Sequence, residues 1–204
     1  MRLFSSLFIC IIAFLALWGF IPTAEECGVY DSTVRLHVLA NSDSEEDQRV
    51  KLLVRDAVLK HISSYEAKTK EEALLSISAN REEICEIAKN VLSENGMSCD
   101  VSLEIGKEQY PERYYEDFSL PAGEYTSVRI LIGEGKGQNW WCVLFPPMCT
   151  AYAMSPEGEE YISVGLSKDQ YNMITGASGE YKVKFKLLEI AQEAMGKGKG
   201  KSEE

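Results

Sequence analysis

The chain has 204 residues, of which 45% are hydrophobic and 26% charged, and it carries a formal net charge of −11 at neutral pH. This composition is typical of a globular protein with an apolar core, and it argues against a disordered or disulfide-saturated chain. Nucleic acids are bound by basic side chains that neutralise phosphates, so the acidic excess argues against a nucleic-acid partner. The same excess disfavours anionic membrane surfaces.

The N-terminal segment has the layout of a secretory signal peptide. One positive charge, Arg2, precedes an apolar run from Leu7 to Ile21, and Glu25 and Glu26 follow it. The run is about 15 residues long, shorter than the roughly 20 of a membrane span, which favours cleavage over an uncleaved anchor. The anchor stays open as the alternative. We therefore predict a signal peptide at 1–24, a linker at 25–33, one globular domain at 34–195 and a flexible tail at 196–204.

A strand followed by a helix is predicted after the linker. Residues 32–40 alternate between apolar and polar positions, which indicates a strand. The polar segment Asn41–Asp47 ends it, and Ser42 with Glu45 three residues later forms a capping box that predicts a helix beginning near Ser42. Apolar residues then recur at spacings of three and four as far as Tyr65, as on the buried face of a helix.

A second helical stretch is predicted between Thr69 and Gly96. Thr69 and Glu72 form another capping box, and Asn95 before Gly96 is a good helix stop. Asn80 followed by Glu83 offers a second cap inside this stretch. We therefore expect either one broken helix or two helices.

Three further strands are predicted at 98–105, 125–132 and 139–145, in an order that suggests a meander. Further helical patterns begin at Leu166 and cover Tyr181–Met195. Helices followed by clustered strands are typical of the α+β class. We therefore predict an α+β fold with helices packed on one face of a largely antiparallel sheet.

The sequence offers few groups for catalysis. It has two histidines, and no nucleophile elbow, P-loop or zinc-binding spacing occurs in it. We predict no catalytic residue, metal site, cofactor or small-molecule substrate. His37 lies on a strand that leads to Asn41 and Asp43 at a helix start, where backbone amides can hold an anion, although Asn and Asp are also ordinary cap residues. These three residues are candidate partner-binding residues.

The segment 139–149, NWWCVLFPPMC, is the richest in aromatic residues. Trp140 and Trp141 are adjacent on a predicted strand and so point to opposite faces of the sheet. One can enter the core while the other serves as an interface anchor, and burial of both is the alternative. We add Trp140, Trp141 and Phe145 to the candidate partner-binding residues.

Five cysteines follow the predicted signal peptide, which itself contains Cys10. Because five is odd, at least one of their thiols is expected to stay unpaired. Cys142 and Cys149 flank a Pro-Pro turn that can bring them within disulfide range, and an exported protein is in a compartment that allows the bond. We predict a disulfide between them.

Two long segments carry a resemblance to a known family. VRLHVLANSDSEEDQRVKLLVRDAVL, residues 34–59, and NWWCVLFPPMC, residues 139–149, are similar to the signature blocks of the stage II sporulation protein R family. The resemblance implies a non-enzymatic protein made in the forespore and exported into the space between the two compartments of the sporulating cell. There it would trigger a membrane-embedded aspartic protease of the mother cell, which then cleaves the inactive sigma-E precursor.

Two other functions remain as alternatives. An exported hydrolase would use His37 and Asp43 in a cleft at the end of the first strand. A membrane-tethered envelope protein would keep its leader uncleaved.

Overall fold

The computed structural model describes residues 27–115, 118–146, 166–176 and 186–190. The predicted signal peptide at 1–24 and the tail at 196–204 lie outside these residues. The helices are α1 Val29–Ser32, α2 Glu45–Ile62, α3 Lys70–Ala79, α4 Arg81–Glu94 and α5 Lys168–Thr175, and residues 186–190 are also helical. The strands are β1 Val34–Leu39, β2 Val101–Tyr110, β3 Arg113–Tyr114, β4 Ser119–Leu120, β5 Gly123–Ile132 and β6 Asn139–Phe145.

Four of the strands form one mixed sheet in the order β2-β5-β1-β6, and β3 pairs with β4 in a separate antiparallel ribbon. β1 is parallel to β5 and antiparallel to β6. β2 and β5 are antiparallel. Glu104 pairs with Arg129, whereas Glu108, further along β2, bonds to Ser127, which comes earlier in β5. The predicted α+β class is confirmed.

The predicted meander is wrong, because neighbours in the sheet are not consecutive in the chain. β1 lies between β5 and β6, and helices α2 to α4 connect it to β2 at the edge of the described sheet. The burial of β1 explains this position. Its first five residues are all buried, so both of its faces are covered, as in a central strand. Alternation within single strands does not report which strand lies beside which.

The core of the larger unit lies between one face of the sheet and helices α2, α3 and α4. β1 contributes alternate residues to it, as its period of two requires. α2 and α4 contribute residues spaced by three and four, as on the buried stripe of a helix. The most buried members include Val34, Leu36, Val38, Val54, Val58, Ile77, Ile84, Leu92, Val128 and Ile130.

α2 begins later than its capping box predicted. Its N-cap is Ser44, whose hydroxyl oxygen accepts the backbone N–H of Asp47 at 3.1 Å. The Ser42 hydroxyl instead donates to the Asp47 carboxylate at 2.5 Å. The N-cap therefore lies two positions after Ser42, whose hydroxyl also accepts the backbone N–H of Ser44 at 3.2 Å.

The second helical stretch forms two helices, as one of the two alternatives predicted. Thr69 caps α3 as expected, with its side chain accepting the Glu72 N–H at 3.2 Å. Asn80 separates α3 from α4, but its amide donates to the Ser76 carbonyl at 2.9 Å and makes no cap bond to α4. α4 ends at Glu94 with Asn95 as its C-cap, and Gly96 follows with a φ of 73°. The predicted linker also contains the short helix α1.

The chain groups into two compact units. Among the described residues, the larger contains 30–108, 125–146 and 166–167, and the smaller contains 27–29, 109–115, 118–124, 168–176 and 186–190. In the smaller unit, α5 packs against β4, and the Ala122 N–H donates to the Glu189 carboxylate at 3.2 Å. The single domain predicted at 34–195 stays a prediction.

Candidate functional site

The two sequence segments singled out above lie side by side in the larger unit. β1 belongs to the first and β6 to the second, and their register places His37 opposite Trp141. The Arg35 Nε donates to the carbonyl of Cys142, 107 positions later, at 3.1 Å. The Arg55 guanidinium of α2 lies 4.6 Å from the ring centroid of Trp140. Residues far apart in the sequence therefore build one continuous structure.

A polar cluster crosses the sheet on the face opposite the helices. The ring of His37, which is 5% exposed, places Nδ1 2.8 Å from a carboxylate oxygen of Glu108 and Nε2 2.8 Å from the amide oxygen of Asn139. The Ser127 hydroxyl donates to the other Glu108 oxygen at 2.7 Å. We call these four residues, one from each strand of the sheet, the His37 cluster.

The geometry of the His37 cluster favours structure over acid–base chemistry. A serine nucleophile needs its hydroxyl bonded to a base, as in Ser–His pairs. Here the Ser127 hydroxyl donates to Glu108, and the two ring nitrogens of His37 contact Glu108 and Asn139. The hydrogen bonds of the His37 cluster therefore link the four strands, and the part-buried carboxylate of Glu108 contacts both His37 and Ser127.

Replacing Glu108 by Gln is expected to lower the free energy of unfolding by about 1–2 kcal/mol, because His37 loses a charged acceptor that is shielded from water. The matched control is Glu104→Gln on the same strand, where Glu104 and Arg129 are 48% and 41% exposed. An exposed pair contributes about 0.5 kcal/mol. Urea unfolding measures both, and equal losses in the two variants would contradict the structural role of Glu108.

Arg35 lies on the same face of β1 as His37 and is fully buried. Its guanidinium carbon is 5.0 Å from the ring centroid of Tyr125, which in turn packs against Tyr30 with ring centroids 4.8 Å apart. Arginine tolerates burial when its planar head stacks on an aromatic ring and donates to fixed acceptors. Arg35 thus anchors β6 to β1 through the Cys142 carbonyl.

A second cluster joins the loop after β1 to the glycine-rich turn between β5 and β6. The Asn41 side-chain oxygen accepts the Glu134 N–H at 3.1 Å, and Asp43 accepts the Gln138 N–H at 2.7 Å. The backbone N–H of Gly137 donates to the Ala40 carbonyl at 2.9 Å. We call residues 41–44 and 133–138 the loop clamp. Asn41 and Asp43, predicted as partner-binding residues, thus hold the two loops together.

The first turns of α2 brace the loop clamp with two buried charged side chains. Asp47 accepts the Ser42 hydroxyl and, at 3.1 Å, the Asn41 amide. Lys51 donates to the Gln138 carbonyl at 2.7 Å. The Ser42 hydrogen bond, assisted by Asn41 and Ser44 and opposed by burial, lowers the pKa of Asp47. Burial lowers the pKa of Lys51.

Stability should depend on Asp47 in acid. Because its pKa is lower folded than unfolded, the carboxylate stabilises the fold above its ordinary pKa of about 4, and this contribution is lost as pH falls through the folded value. In Asp47→Asn, the free energy of unfolding should therefore change less between about pH 5 and pH 3 than in the wild type. Asp56→Asn on the exposed face of α2 is the control, and matching acid profiles for Asp47→Asn and wild type would contradict the assignment.

The predicted aromatic anchors occupy three environments. Trp140 is half-buried against the core beside Arg55, and Trp141 lies on the opposite face, its ring centroid 5.5 Å from that of His37. Phe145 is 3% exposed and lines an apolar cavity of about 70 Å³ with Leu59. The structure therefore brings Trp141 together with His37, and places Phe145 in the core.

The predicted disulfide cannot be placed, since Cys149 lies outside the described residues, and the Cys142–Cys149 bridge stays a prediction. Cys142 is buried in β6. Cys85 and Cys99 are free thiols, and these two residues and Cys27 are each partly buried. Burial is the main cause that raises the pKa of Cys85, which makes its thiol less reactive.

The described part of the chain holds no group of three or more His, Cys, Asp or Glu side chains arranged to bind a metal ion. Among the same residues, no helix has the length and apolarity to cross a membrane.

Sequence reasoning missed Arg35, Asp47, Lys51 and Glu108 as residues that hold the strands and loops together. Polar alternation on β1 was the available signal for Arg35, whereas Glu108 lies 71 positions from His37 and no local pattern connects them.

The sheet, the helices on one face and the bonded polar layer on the other define an α+β domain. A family model described as stage II sporulation protein R matches residues 30–155. A Bacillus subtilis (strain 168) protein named stage II sporulation protein R is 38% identical over 158 residues, which cover 71% of this chain and 70% of that protein. No solved structure matches the chain. The chain belongs to the stage II sporulation protein R family, and it has a role in sporulation.

Proposed function

We propose that this protein is an exported sporulation signal that activates a membrane-embedded aspartic protease by contact, leading to processing of the mother-cell sigma-E precursor. Family membership supports the pathway. The observation that carries the contact mechanism is the internal bonding of both signature segments. His37, Asn41, Asp43 and Asn139 hydrogen-bond to other parts of the same domain. A surface fixed in advance loses little conformational entropy on binding, which suits recognition by shape.

The location proposed for the protein is the space between the forespore and mother-cell membranes. The leader supports this, since one basic residue, a short apolar run and a polar end favour export and cleavage. The mature chain would begin near Glu25. An uncleaved leader would instead tether the domain to the membrane on the same side, and contact with a membrane protease is compatible with both states.

The contacts give the hydrolase alternative little support. It requires His37 and Asp43 to act together in a cleft. His37 contacts Glu108 and Asn139, whereas Asp43 accepts a backbone N–H of the loop clamp. The two side chains thus serve separate clusters.

Co-purification tests the proposed contact. The full chain is mixed with the tagged membrane protease in detergent, and the bound fraction is measured after capture of the tag. We expect saturable binding at one chain per protease, and no capture from membranes that lack the protease. Absence of binding to folded protease would overturn the proposal.

A further inference from the structure

The dipeptide Asn95-Gly96 follows α4, and this is the sequence in which asparagine deamidates most readily. In that reaction the backbone nitrogen of the next residue attacks the side-chain amide carbon, and glycine has no side chain to obstruct the approach. The chain has six asparagines, and Asn95 alone is followed by glycine. Asn90, on α4 itself, is followed by the β-branched Val91. Asn95 therefore has the highest intrinsic reactivity among the asparagines of the chain.

The C-terminal cap of α4 holds the nucleophile of this reaction. Gly96 has a φ of 73°, and its N–H donates to the Ser93 carbonyl at 3.0 Å. The N–H of Met97 donates to the Leu92 carbonyl at 2.9 Å. Two such bonds around a left-handed glycine form a Schellman motif. While the motif is closed, the N–H of Gly96 is bonded to the helix, and its nitrogen is not available to attack Asn95.

The side chain of Asn95 is held at both of its polar atoms. Its Nδ2 donates to the Val91 carbonyl at 2.9 Å, and its Oδ1 accepts from the Arg49 Nη1 at 3.1 Å. Arg49 belongs to α2, 46 positions earlier, so the second bond connects the cap to another helix. Ring closure needs the amide carbon and the Gly96 nitrogen to turn towards each other, which breaks these bonds. Deamidation therefore requires the end of α4 to open locally.

We propose that Asn95 is a site of spontaneous deamidation that reacts when the end of α4 opens, and that Arg49 is a positioning residue that slows the reaction. In the open state, hydroxide takes the proton of the Gly96 nitrogen, which bonds to Cγ of Asn95. The Cγ–Nδ2 bond breaks, and ammonia leaves with a proton from water. Water then opens the succinimide at either carbonyl and gives aspartate or isoaspartate. This inference is independent of the proposed function.

Both products weaken the cap. An ionised carboxylate at position 95 has no donor for the Val91 carbonyl, and it places a negative charge at the C-terminal end of a helix dipole. Isoaspartate also adds a methylene group to the main chain before Gly96, which displaces the N–H groups of the Schellman motif. α4 packs on the core through Ala88 and Leu92. Because the ammonia is lost to solvent, each opening that leads to reaction permanently weakens a core helix.

Peptide mapping of the full chain tests the proposal. Trypsin cuts after Lys89 and next after Lys107, so Asn90 and Asn95 lie in one peptide and are compared in the same molecule. In mildly alkaline buffer, Asn95 should deamidate at least about tenfold faster in urea that unfolds the chain than in the folded chain. Asn90 should stay intact over the same period. Fragment-ion mass spectrometry measures both positions.

Arg49→Ala tests the restraint from α2. In the folded chain it should raise the rate at Asn95 about twofold, as expected for the loss of one exposed hydrogen bond, and in urea it should leave the rate unchanged. Arg49→Lys keeps a donor and should fall between wild type and Arg49→Ala. Lys60→Ala, which removes a positive charge from an exposed position of the same helix, is the matched control and should react at the wild-type rate.

The outcomes separate the two parts of the proposal. Equal rates at Asn95 in the folded and unfolded chains would overturn control by the α4 cap, and an intact Asn95 in urea would overturn the site itself. A cap that protects Asn95 equally well in wild type, Arg49→Ala and Lys60→Ala would overturn the role of Arg49. Faster reaction in Arg49→Ala, with urea unfolding close to wild type, supports both parts.

Discussion

Gly137→Ala is expected to lower the free energy of unfolding by about 2–3 kcal/mol or more, because overpacking against backbone forces the chain to shift. A Cβ on Gly137 would lie well within 3.0 Å of the Ser42 carbonyl oxygen, and it would also meet the Ala40 Cβ. Both neighbours belong to a loop that is fixed by Asn41, Asp43 and Asp47, so relief by small movements is not available. Urea unfolding of the full chain measures the loss.

Gly106→Ala is the control for this substitution. Its new methyl group meets no described atom within 4 Å, so its stability should stay at the wild-type value or rise by about 0.5 kcal/mol through loss of unfolded-state entropy. The loop clamp would be refuted as a rigid element if Gly137→Ala were as stable as Gly106→Ala.

Arg35→Ala is expected to lower the free energy of unfolding by about 3 kcal/mol, since it removes a fully buried side chain and leaves a cavity beside polar groups. The Cys142 carbonyl would lose the Arg35 donor, and the Tyr125 ring would lose its stacked guanidinium. Arg35→Lys should fall between wild type and Arg35→Ala, because an ammonium keeps the charge but not the planar fork.

Arg49 supplies the comparison for Arg35. It is exposed on α2 and donates to the Asn95 side chain at 3.1 Å. Arg49→Ala should change the free energy of unfolding by about 0.5 kcal/mol or less. If the two alanine variants unfolded at the same urea concentration, Arg35 would not be the anchor of β6 described above.

Local structure could be predicted where a local pattern determines it. β6 occupies the predicted residues, and Thr69 caps α3 as its capping box indicated, because caps and alternation depend on neighbours a few positions away. Ser42 shows the limit. Its hydroxyl accepts the Ser44 N–H and donates to Asp47, five positions on, while Ser44 takes the N-cap position of α2.

The arrangement of strands and the polar clusters could not be predicted in the same way. β1 pairs with β5 and β6, whose residues lie about 90 to 110 positions later, and single-strand patterns do not encode partners. The His37 cluster likewise needs Glu108, Ser127 and Asn139 from three other strands. Asn41 and Asp43 are polar residues at a predicted helix start, and their polar groups bond within the loop clamp.

The His37 cluster fixes the strands and the loop clamp fixes the turn between β5 and β6, so the described sheet has a set geometry. If the protein activates the protease by contact, variants of the two clusters should impair signalling in proportion to unfolding. A variant that loses signalling while it stays folded would mark a residue that touches the partner.

The most direct measurement is precursor cleavage in vesicles that contain the membrane protease and the sigma-E precursor, with and without the full chain added on the side it would occupy in the cell. We expect cleavage to appear only when the chain is added, to saturate at one chain per protease, and to disappear when the catalytic aspartates of the protease are replaced by asparagine. Cleavage that persists with the inactivated protease, or that proceeds equally well without the chain, would contradict activation by contact.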